Sequence, residues 1–242
     1  MSDGRFSFPA CVIAGKRRLD VDDLMMLRKH AFSDGIRTED DACLLLAIHR
    51  ACASSCPQWD SYVVESIAAY AVHRQHPRGW LDATNAEWLI ATLSVDAIVT
   101  TPLELEIILH ALDMAASAPD RLYAFALEQM FIGLQPNSRN AYALSRPSRN
   151  PGMDLADLHY LWRVLRSACE GGRILMSAIE RDVLRAIDAL AQPGEHHHGW
   201  NDLVSTLQLR APAGNGGDRG RWLKASDEAL LEKTTGAACQ AA

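Results

Sequence analysis

Three adjacent histidines form the most conspicuous polar run in the sequence. His196, His197 and His198 carry imidazoles, which can bind a transition metal, and Glu195 and Asp202 are close enough in the sequence to add carboxylates. Three neighbours on one irregular loop cannot all face a single ion without a contorted backbone, and no cysteine stands nearby to complete a site. We therefore interpret the run as an exposed loop and keep a divalent-metal site at these histidines as the alternative.

A second candidate for metal chemistry involves two cysteines. Cys52 and Cys56 are four residues apart, and His49 has a spacing that suits a zinc site with them. A structural zinc needs further ligands that the neighbouring sequence does not supply, and Pro57 follows directly. We favour a simple pair of thiols. Six cysteines in 242 residues are too few for a disulfide scaffold, which indicates a reducing compartment.

The patterns of catalytic and calcium-binding proteins fail at specific residues. If Gly35 were the sixth residue of a calcium loop, its first and third positions would be His30 and Phe32, which cannot supply carboxylate oxygens. The Glu-x-x-His pair of a di-metal bundle fails at Glu106, because Leu109 occupies the histidine position. Nucleophile-elbow and phosphate-loop motifs are also missing. We therefore predict a non-catalytic protein without a cofactor.

Composition and charge narrow the classes further. The 242 residues are 48% hydrophobic and 22% charged, as in an ordinary globular protein. A formal net charge of -6 argues against a nucleic-acid partner, since such proteins carry an excess of lysine and arginine. No run approaches the roughly 18 apolar residues that span a bilayer, and Met1 to Phe6 lack the features of a signal peptide. We expect no membrane partner and a cytoplasmic location.

The elements that must position these residues are helices. Apolar residues recur with a period near 3.6, whereas strand signals are nearly absent. The strongest start is Thr101, because Pro102 and Glu104 are both favoured in the first turn that follows a cap. We predict an all-α fold, a multi-helix bundle. Its helices are predicted to begin near Asp20, Thr38, Pro57, Thr84, Thr101, Pro119, Asp154, Ser177, Trp200 and Ser226.

Two stretches of the chain resemble each other in order. The run from Asp20 to Leu93 is echoed from Asp154 to Thr235. Repetition of this kind is typical of supersecondary units that bury their apolar faces against a neighbour. We predict two related helical units, the second truncated because it lacks counterparts of the helices between 101 and 134. The matching landmarks are Asp20 with Asp154, Thr38 with Ser177, Trp59 with Trp200, and Trp80 with Trp222.

The predicted organisation has five parts. They are an N-terminal segment (1–19), a first unit (20–134), a linker (135–153), a second unit (154–235) and a C-terminal tail (236–242). The linker contains several prolines and no acidic residue before Gly152. Its basic residues Arg139, Arg146 and Arg149 could meet an acidic partner, but we favour a solvated tether.

Four tryptophans at matching places are the strongest candidates for binding. Large aromatic side chains at repeated helix boundaries are usually packing anchors, and this is the favoured interpretation. The alternative is that Trp59, Trp80, Trp200 and Trp222 line a groove between the two units that receives a protein partner.

Two turns carry a resemblance to a known family. The first contains Asp34, Gly35, Thr38 and Asp41, and the second contains Asp96, Ile98, Val99, Thr101 and Glu104. In this arrangement the chain resembles the tellurite-resistance TerB-like helical domain from about Asp20 to Leu134, and more faintly from Asp154 to Thr235. The resemblance implies short helices around two related turns, with acidic patches associated with metal ions. These patches are partly matched here, because Ala97 replaces a glycine.

The leading hypothesis combines these observations. It is a non-catalytic helical interaction or regulatory protein of the bacterial cytoplasm, with a role in stress, that offers an apolar and aromatic groove to a protein partner. The first alternative is a metal-ion binding protein or metalloenzyme that uses His196 to His198. The second is a sensor with a small-ligand pocket inside the bundle. The identity of a partner and the oligomeric state stay open.

Overall fold

The fold is an all-α multi-helix bundle, which confirms the predicted class. A computed structural model describes residues 16–148, 150–166, 169–170, 173–192 and 194–210. Ten α-helices lie within these residues. They are α1 Val21–His30, α2 Glu39–Ala51, α3 Pro57–Ala69, α4 Ala83–Leu93, α5 Pro102–Met114, α6 Asp120–Leu134, α7 Ala141–Ser145, α8 Leu155–Leu165, α9 Ala178–Ala191 and α10 His198–Thr206.

Two small strand pairs and one distorted helical segment complete the described elements. Strand β1 (Arg18–Leu19) pairs in parallel with β2 (Ser54–Ser55), and β3 (Cys169–Glu170) pairs antiparallel with β4 (Arg173–Ile174). A π-helical segment, Tyr70–Arg74, continues α3. The strands are too short to carry a period-2 pattern, which explains why the sequence did not predict them.

Within the described residues, helix starts follow the caps that the sequence predicts, with one correction; the helix predicted near Ser226 lies outside those residues. Asp20, Thr38, Asp154 and Ser177 each form a full capping box with the acidic residue three positions on. The predicted cap at Thr84 is wrong. The cap of α4 is Asp82, whose carboxylate accepts from the backbone N–H of Asn85 at 2.8 Å.

One continuous apolar core joins the first and second predicted units. It extends from Leu19 to Leu209 and includes side chains of α5, α6, α8 and α9. The Tyr160 hydroxyl donates to the Ala126 carbonyl at 2.8 Å, which ties α8 to α6. Arg163 of α8 donates to Glu106 and Asp113 of α5. Helices α8 and α9 are therefore held against α5 and α6, by apolar packing and, for α8, by polar contacts.

The segment predicted as a solvated linker is packed against the bundle in part, at residues 140–142 and 152–153. It contains α7, and the Asn140 amide donates to the Gln129 carbonyl at 2.7 Å. The Arg146 side chain is only 8% exposed and pairs with Asp157 at 2.7 Å. The tether interpretation is thus wrong around Arg146, because its counterion lies within the chain. Arg149 lies outside the described residues.

Local geometry recurs between the two predicted units. The Leu19 carbonyl, just before the cap Asp20, accepts from Cys56 N–H at 2.9 Å. The Met153 carbonyl, just before the cap Asp154, accepts from His197 N–H at 2.7 Å. Cys56 and His197 are themselves the N-caps of the helices that carry Trp59 and Trp200. The duplication stays a prediction, but these contacts agree with the register it assigns.

Each described helix falls short of the length and apolar character that crossing a bilayer requires.

Candidate functional site

An open groove lies beside α5. Its volume is about 920 Å³. One wall is formed by the end of α2, by β2 and by one face of α3, and the other by the N-terminal half of α5. The residues that line it are His49, Arg50, Cys52, Ala53, Ser54, Ser55, Asp60, Ser61, Val64, Glu65, Thr101, Pro102, Leu103, Glu106, His110 and Ser145.

The amphipathic pattern of α3 creates one wall of this groove. Trp59, Val63 and Ile67 face the core and are fully buried. The neighbouring face of the helix lines the groove and carries the half-buried Asp60 and the exposed Glu65. On the other wall, Thr101 caps α5 and Pro102 occupies its first turn, so the predicted start of this helix fixes the groove's edge.

The groove carries a surplus of negative charge. Arg50 is neutralised by Glu104, which accepts from its Nε at 2.8 Å and its Nη2 at 2.6 Å. In contrast, no lysine or arginine of the described residues pairs with Asp60 or Glu65; Asp60 accepts from the Ser55 hydroxyl instead. Because the cation in the groove is already paired, these two carboxylates are left to attract a positively charged ligand.

His49 is the most unusual group in the groove. Its Nδ1 atom is buried and has no hydrogen-bond partner within the described chain. Burial lowers the pKa of His49, Arg50 lowers it further, and Asp60 and Glu104 act in the opposite direction. The imidazole is therefore neutral at neutral pH. It can offer one ring nitrogen to a ligand as a donor or an acceptor.

A smaller cleft of about 230 Å³ lies on the other side of α5. It shares Pro102, Glu106 and Ser145 with the groove, so the two cavities meet across the first turns of this helix. Its other side is formed by α7 and α8. This smaller cleft is therefore lined by residues from both predicted units.

The buried polar cluster around Asp157, in this smaller cleft, has a structural role. Asp157 is 1% exposed and accepts from the Tyr142 hydroxyl and from Arg146 Nη2 at 2.7 Å. Burial raises the pKa of the Tyr142 phenol well above its ordinary value, and the charge of Asp157 adds to this effect. The phenol stays a hydrogen-bond donor, and the carboxylate has no free charge left for a ligand.

The four tryptophans predicted to bind a partner occupy different environments. Trp59 and Trp200 are fully buried, so in this structure they offer no surface to a partner and act as packing anchors. Trp80 is 55% exposed but does not line either cleft. Trp222 lies outside the described residues. The predicted aromatic lining of the groove is therefore wrong for the three described tryptophans.

The histidine run is placed at the start of α10. His196 Nδ1 accepts from Met153 N–H at 3.2 Å, and His197 Nδ1 accepts from Gly199 N–H at 3.1 Å. The rings of His197 and His198 have centroids 4.1 Å apart. Two of the three imidazoles thus use one nitrogen to hold the backbone. Within the described chain, no three histidine, cysteine, aspartate or glutamate residues are grouped to hold a metal ion.

Sequence reasoning identified His49 only as a zinc candidate and did not identify Asp60 or Glu65. The available signal was the outward face of a helix whose inward face carries Trp59. Comparison with known proteins adds no further site residues, since no family model, curated protein or solved structure matches the chain.

Proposed function

We propose that the chain is a non-catalytic interaction or regulatory protein of the bacterial cytoplasm that binds a protein partner in the groove beside α5. The observation that carries this proposal is the 920 Å³ open cleft with two uncompensated carboxylates, Asp60 and Glu65. The role in stress rests on the TerB-like resemblance, which stays part of the proposal.

The chemistry of the groove indicates the partner's character. Carboxylates and serine hydroxyls on one wall and a neutral histidine at the end of α2 offer acceptors to a chain that carries positive charge. Val64 and Leu103 add small apolar areas between the polar groups. An extended segment with lysine or arginine beside small or aliphatic side chains fits this pattern, since opposite potentials favour encounter and register.

The first experiment measures binding of a defined probe. A fluorescein-labelled peptide of repeated lysine, serine and leucine is titrated with the wild-type chain and with the double variant Asp60→Lys, Glu65→Lys. We expect the variant to bind at least roughly tenfold more weakly, because attraction becomes repulsion at two positions. Asp202→Lys, an exposed acid-to-lysine substitution on α10 with the same charge change per substituted residue, is the control and should bind like wild type. Equal binding by all three proteins would contradict the proposal.

A second experiment searches for the natural partner. The wild-type chain and the same two variants serve as bait under native conditions. A stoichiometric partner that is retained by Asp202→Lys and lost by the groove variant supports the proposal. A partner retained equally by every bait, or no stoichiometric partner at all, counts against it.

The volume of the groove also favours the small-ligand alternative, since binding pockets commonly enclose about 300–1,000 Å³. A ligand selective for the folded state raises the melting temperature. A ligand-induced rise in melting temperature that is present in wild type and absent in Asp60→Lys, Glu65→Lys would favour a small-ligand sensor over a protein-binding role. The metal hypothesis for His196 to His198 is tested separately by elemental analysis of the purified chain.

A further inference from the structure

A second surface, opposite in charge to the groove, lies where α3 and its π-helical continuation end. Five exposed side chains follow one another closely: His73, Arg74, His76, Arg78 and Trp80. We call them the Trp80 surface. No carboxylate within the described chain pairs with Arg74 or Arg78, whereas Arg50, Arg146, Arg163 and Arg210 are all paired. This is a local excess of positive charge on a chain whose formal net charge is -6.

The backbone that presents Trp80 is fixed on both sides. Gly79 N–H donates to the Val72 carbonyl at 2.6 Å, and Ala116 N–H donates to the Gly79 carbonyl at 2.9 Å. Leu81, next in the chain, is buried and donates its N–H to the Ser117 carbonyl at 2.9 Å. Trp80 therefore projects from a turn that is anchored to the end of α5. A ligand that binds this side chain does not have to order the loop first, and this saves conformational entropy.

The residue types of this surface are those of binding hot spots. Tryptophan and arginine are enriched among interface residues that contribute most to affinity. An indole that is 55% exposed leaves a large apolar area in water, and covering that area is favourable. Guanidinium groups without a counterion can form two parallel hydrogen bonds with a carboxylate.

We propose that the Trp80 surface binds an acidic peptide segment that carries an apolar side chain. Glutamate or aspartate residues of the segment pair with Arg74 and Arg78, and the apolar residue covers the indole of Trp80. The surface shares no residue with the groove, so this inference stands on separate observations from the proposed function.

Two other classes of anionic partner fit less well. Binding to anionic lipid commonly uses clusters of about four to eight lysines and arginines, and this surface has two arginines. Asp82, the cap of α4, and Glu87 on α4 are exposed carboxylates close in the sequence to this surface, and they weaken the attraction for an extended polyanion.

The test uses a short fluorescein-labelled peptide in which glutamate alternates with leucine. Fluorescence anisotropy is measured with the full chain, with Trp80→Ala and with the double variant Arg74→Gln, Arg78→Gln. We expect each variant to weaken binding at least roughly tenfold. Arg139→Gln removes another exposed arginine without a carboxylate partner in the described chain and serves as the matched control, with an expected change of less than about twofold. Circular dichroism verifies that each variant is folded.

Altered probes identify the chemistry that is recognised. Replacing glutamate by lysine in the peptide should abolish binding, and replacing leucine by glycine should weaken it in wild type but not in Trp80→Ala. The proposal is overturned if the lysine peptide binds equally well or if the Trp80 and arginine variants bind like wild type. Binding to phosphatidylserine vesicles without binding to the peptide would also overturn it and reassign the surface to a membrane. The variant Asp60→Lys, Glu65→Lys should bind the acidic peptide normally, so failure of one proposal is distinguishable from failure of the other.

Discussion

The regions around Trp59 and Trp200 have the same apolar arrangement and different polar partners. Each tryptophan is the third residue of its helix and is fully buried. The indole N–H of Trp200 donates to Asp188 at 3.2 Å, and Asp188 also pairs with Arg210 at 2.7 Å. The indole N–H of Trp59 has no hydrogen-bond partner within the described chain.

The polar partners differ because of one position in the long helix that precedes each tryptophan. This helix is α2 in the first region and α9 in the second. Asp188 lies as far from the cap Ser177 as His49 lies from the cap Thr38. In the second region this position is a carboxylate that holds the indole and the arginine at the end of the described chain. In the first region it is a histidine that lines the groove and whose buried Nδ1 has no hydrogen-bond partner within the described chain. The second region uses its polar group in a hydrogen-bond network, and the first leaves its polar group without a partner in the described chain.

The largest expected effect tests what the two regions share. Trp59→Ala and Trp200→Ala each remove a fully buried indole, so we expect each to lower the free energy of unfolding by about 3–5 kcal/mol. Urea unfolding followed by circular dichroism measures both losses. A loss below about 1 kcal/mol for either variant would contradict a shared packing role.

The capping boxes that begin at Asp20 and Asp154 each contain a second acidic residue, and these two residues should contribute differently to stability. Asp157 is buried with Arg146, so Asp157→Ala leaves a buried guanidinium without its counterion and should cost about 3–5 kcal/mol. Asp23→Ala should cost on the order of 1 kcal/mol, the scale of a helix cap, because its partner Lys16 is 42% exposed and can return to water. The same unfolding assay applies, with the exposed Asp22→Ala as the control. Equal losses at Asp23 and Asp157 would remove the distinction.

The sequence predicted those features that depend on neighbouring residues. The capping boxes at Asp20, Thr38, Asp154 and Ser177 are local, so the residue types at two positions are sufficient to identify them. The burial of Arg146 was missed because Asp157 and Tyr142 become its neighbours only through tertiary packing.

The groove likewise could not be predicted from local sequence. Its carboxylates are on α3 and its opposite wall is α5, so neither the cleft nor its charge surplus is visible in any single stretch of sequence. The buried state of Trp59 was the favoured interpretation because helical spacing predicts it. That Trp80 would instead be exposed depends on a turn anchored to the end of α5, which is a tertiary contact.

Replacing each buried tryptophan by phenylalanine tests whether the two indole N–H groups differ in their hydrogen-bond partners. Trp200→Phe loses a buried hydrogen bond to an ionised carboxylate, in a class worth about 1.5–3 kcal/mol. Trp59→Phe removes a donor that has no partner in the described chain, and so should cost less than Trp200→Phe by roughly that amount. The two differences in unfolding free energy are compared directly. Equal costs would mean that the Trp59 N–H has an acceptor after all, and His49 Nδ1 would be the first to examine by double-mutant cycle.

The smallest effect concerns the pH dependence of stability. It again depends on the position that is His49 in the first region and Asp188 in the second. Because the pKa of His49 is lowered from 6.5 in the folded state, the unfolded chain binds the proton more readily. The stability associated with a neutral His49 is therefore complete above about pH 6.5 and is lost as the pH falls through the lowered pKa.

For Asp188, burial acts to raise the pKa, but Arg210 holds it below 3.8, so its contribution is lost only in stronger acid. Between about pH 7.5 and 5, the urea midpoint should thus fall in wild type and fall less in His49→Gln. In Asp188→Asn, the urea midpoint should fall with pH as steeply as in the wild type. His197 is a second histidine with a pKa lowered by burial, so His49→Gln combined with His197→Gln should flatten the profile further. A wild-type slope in His49→Gln would show that the imidazole at the groove is not the group whose burial opposes protonation.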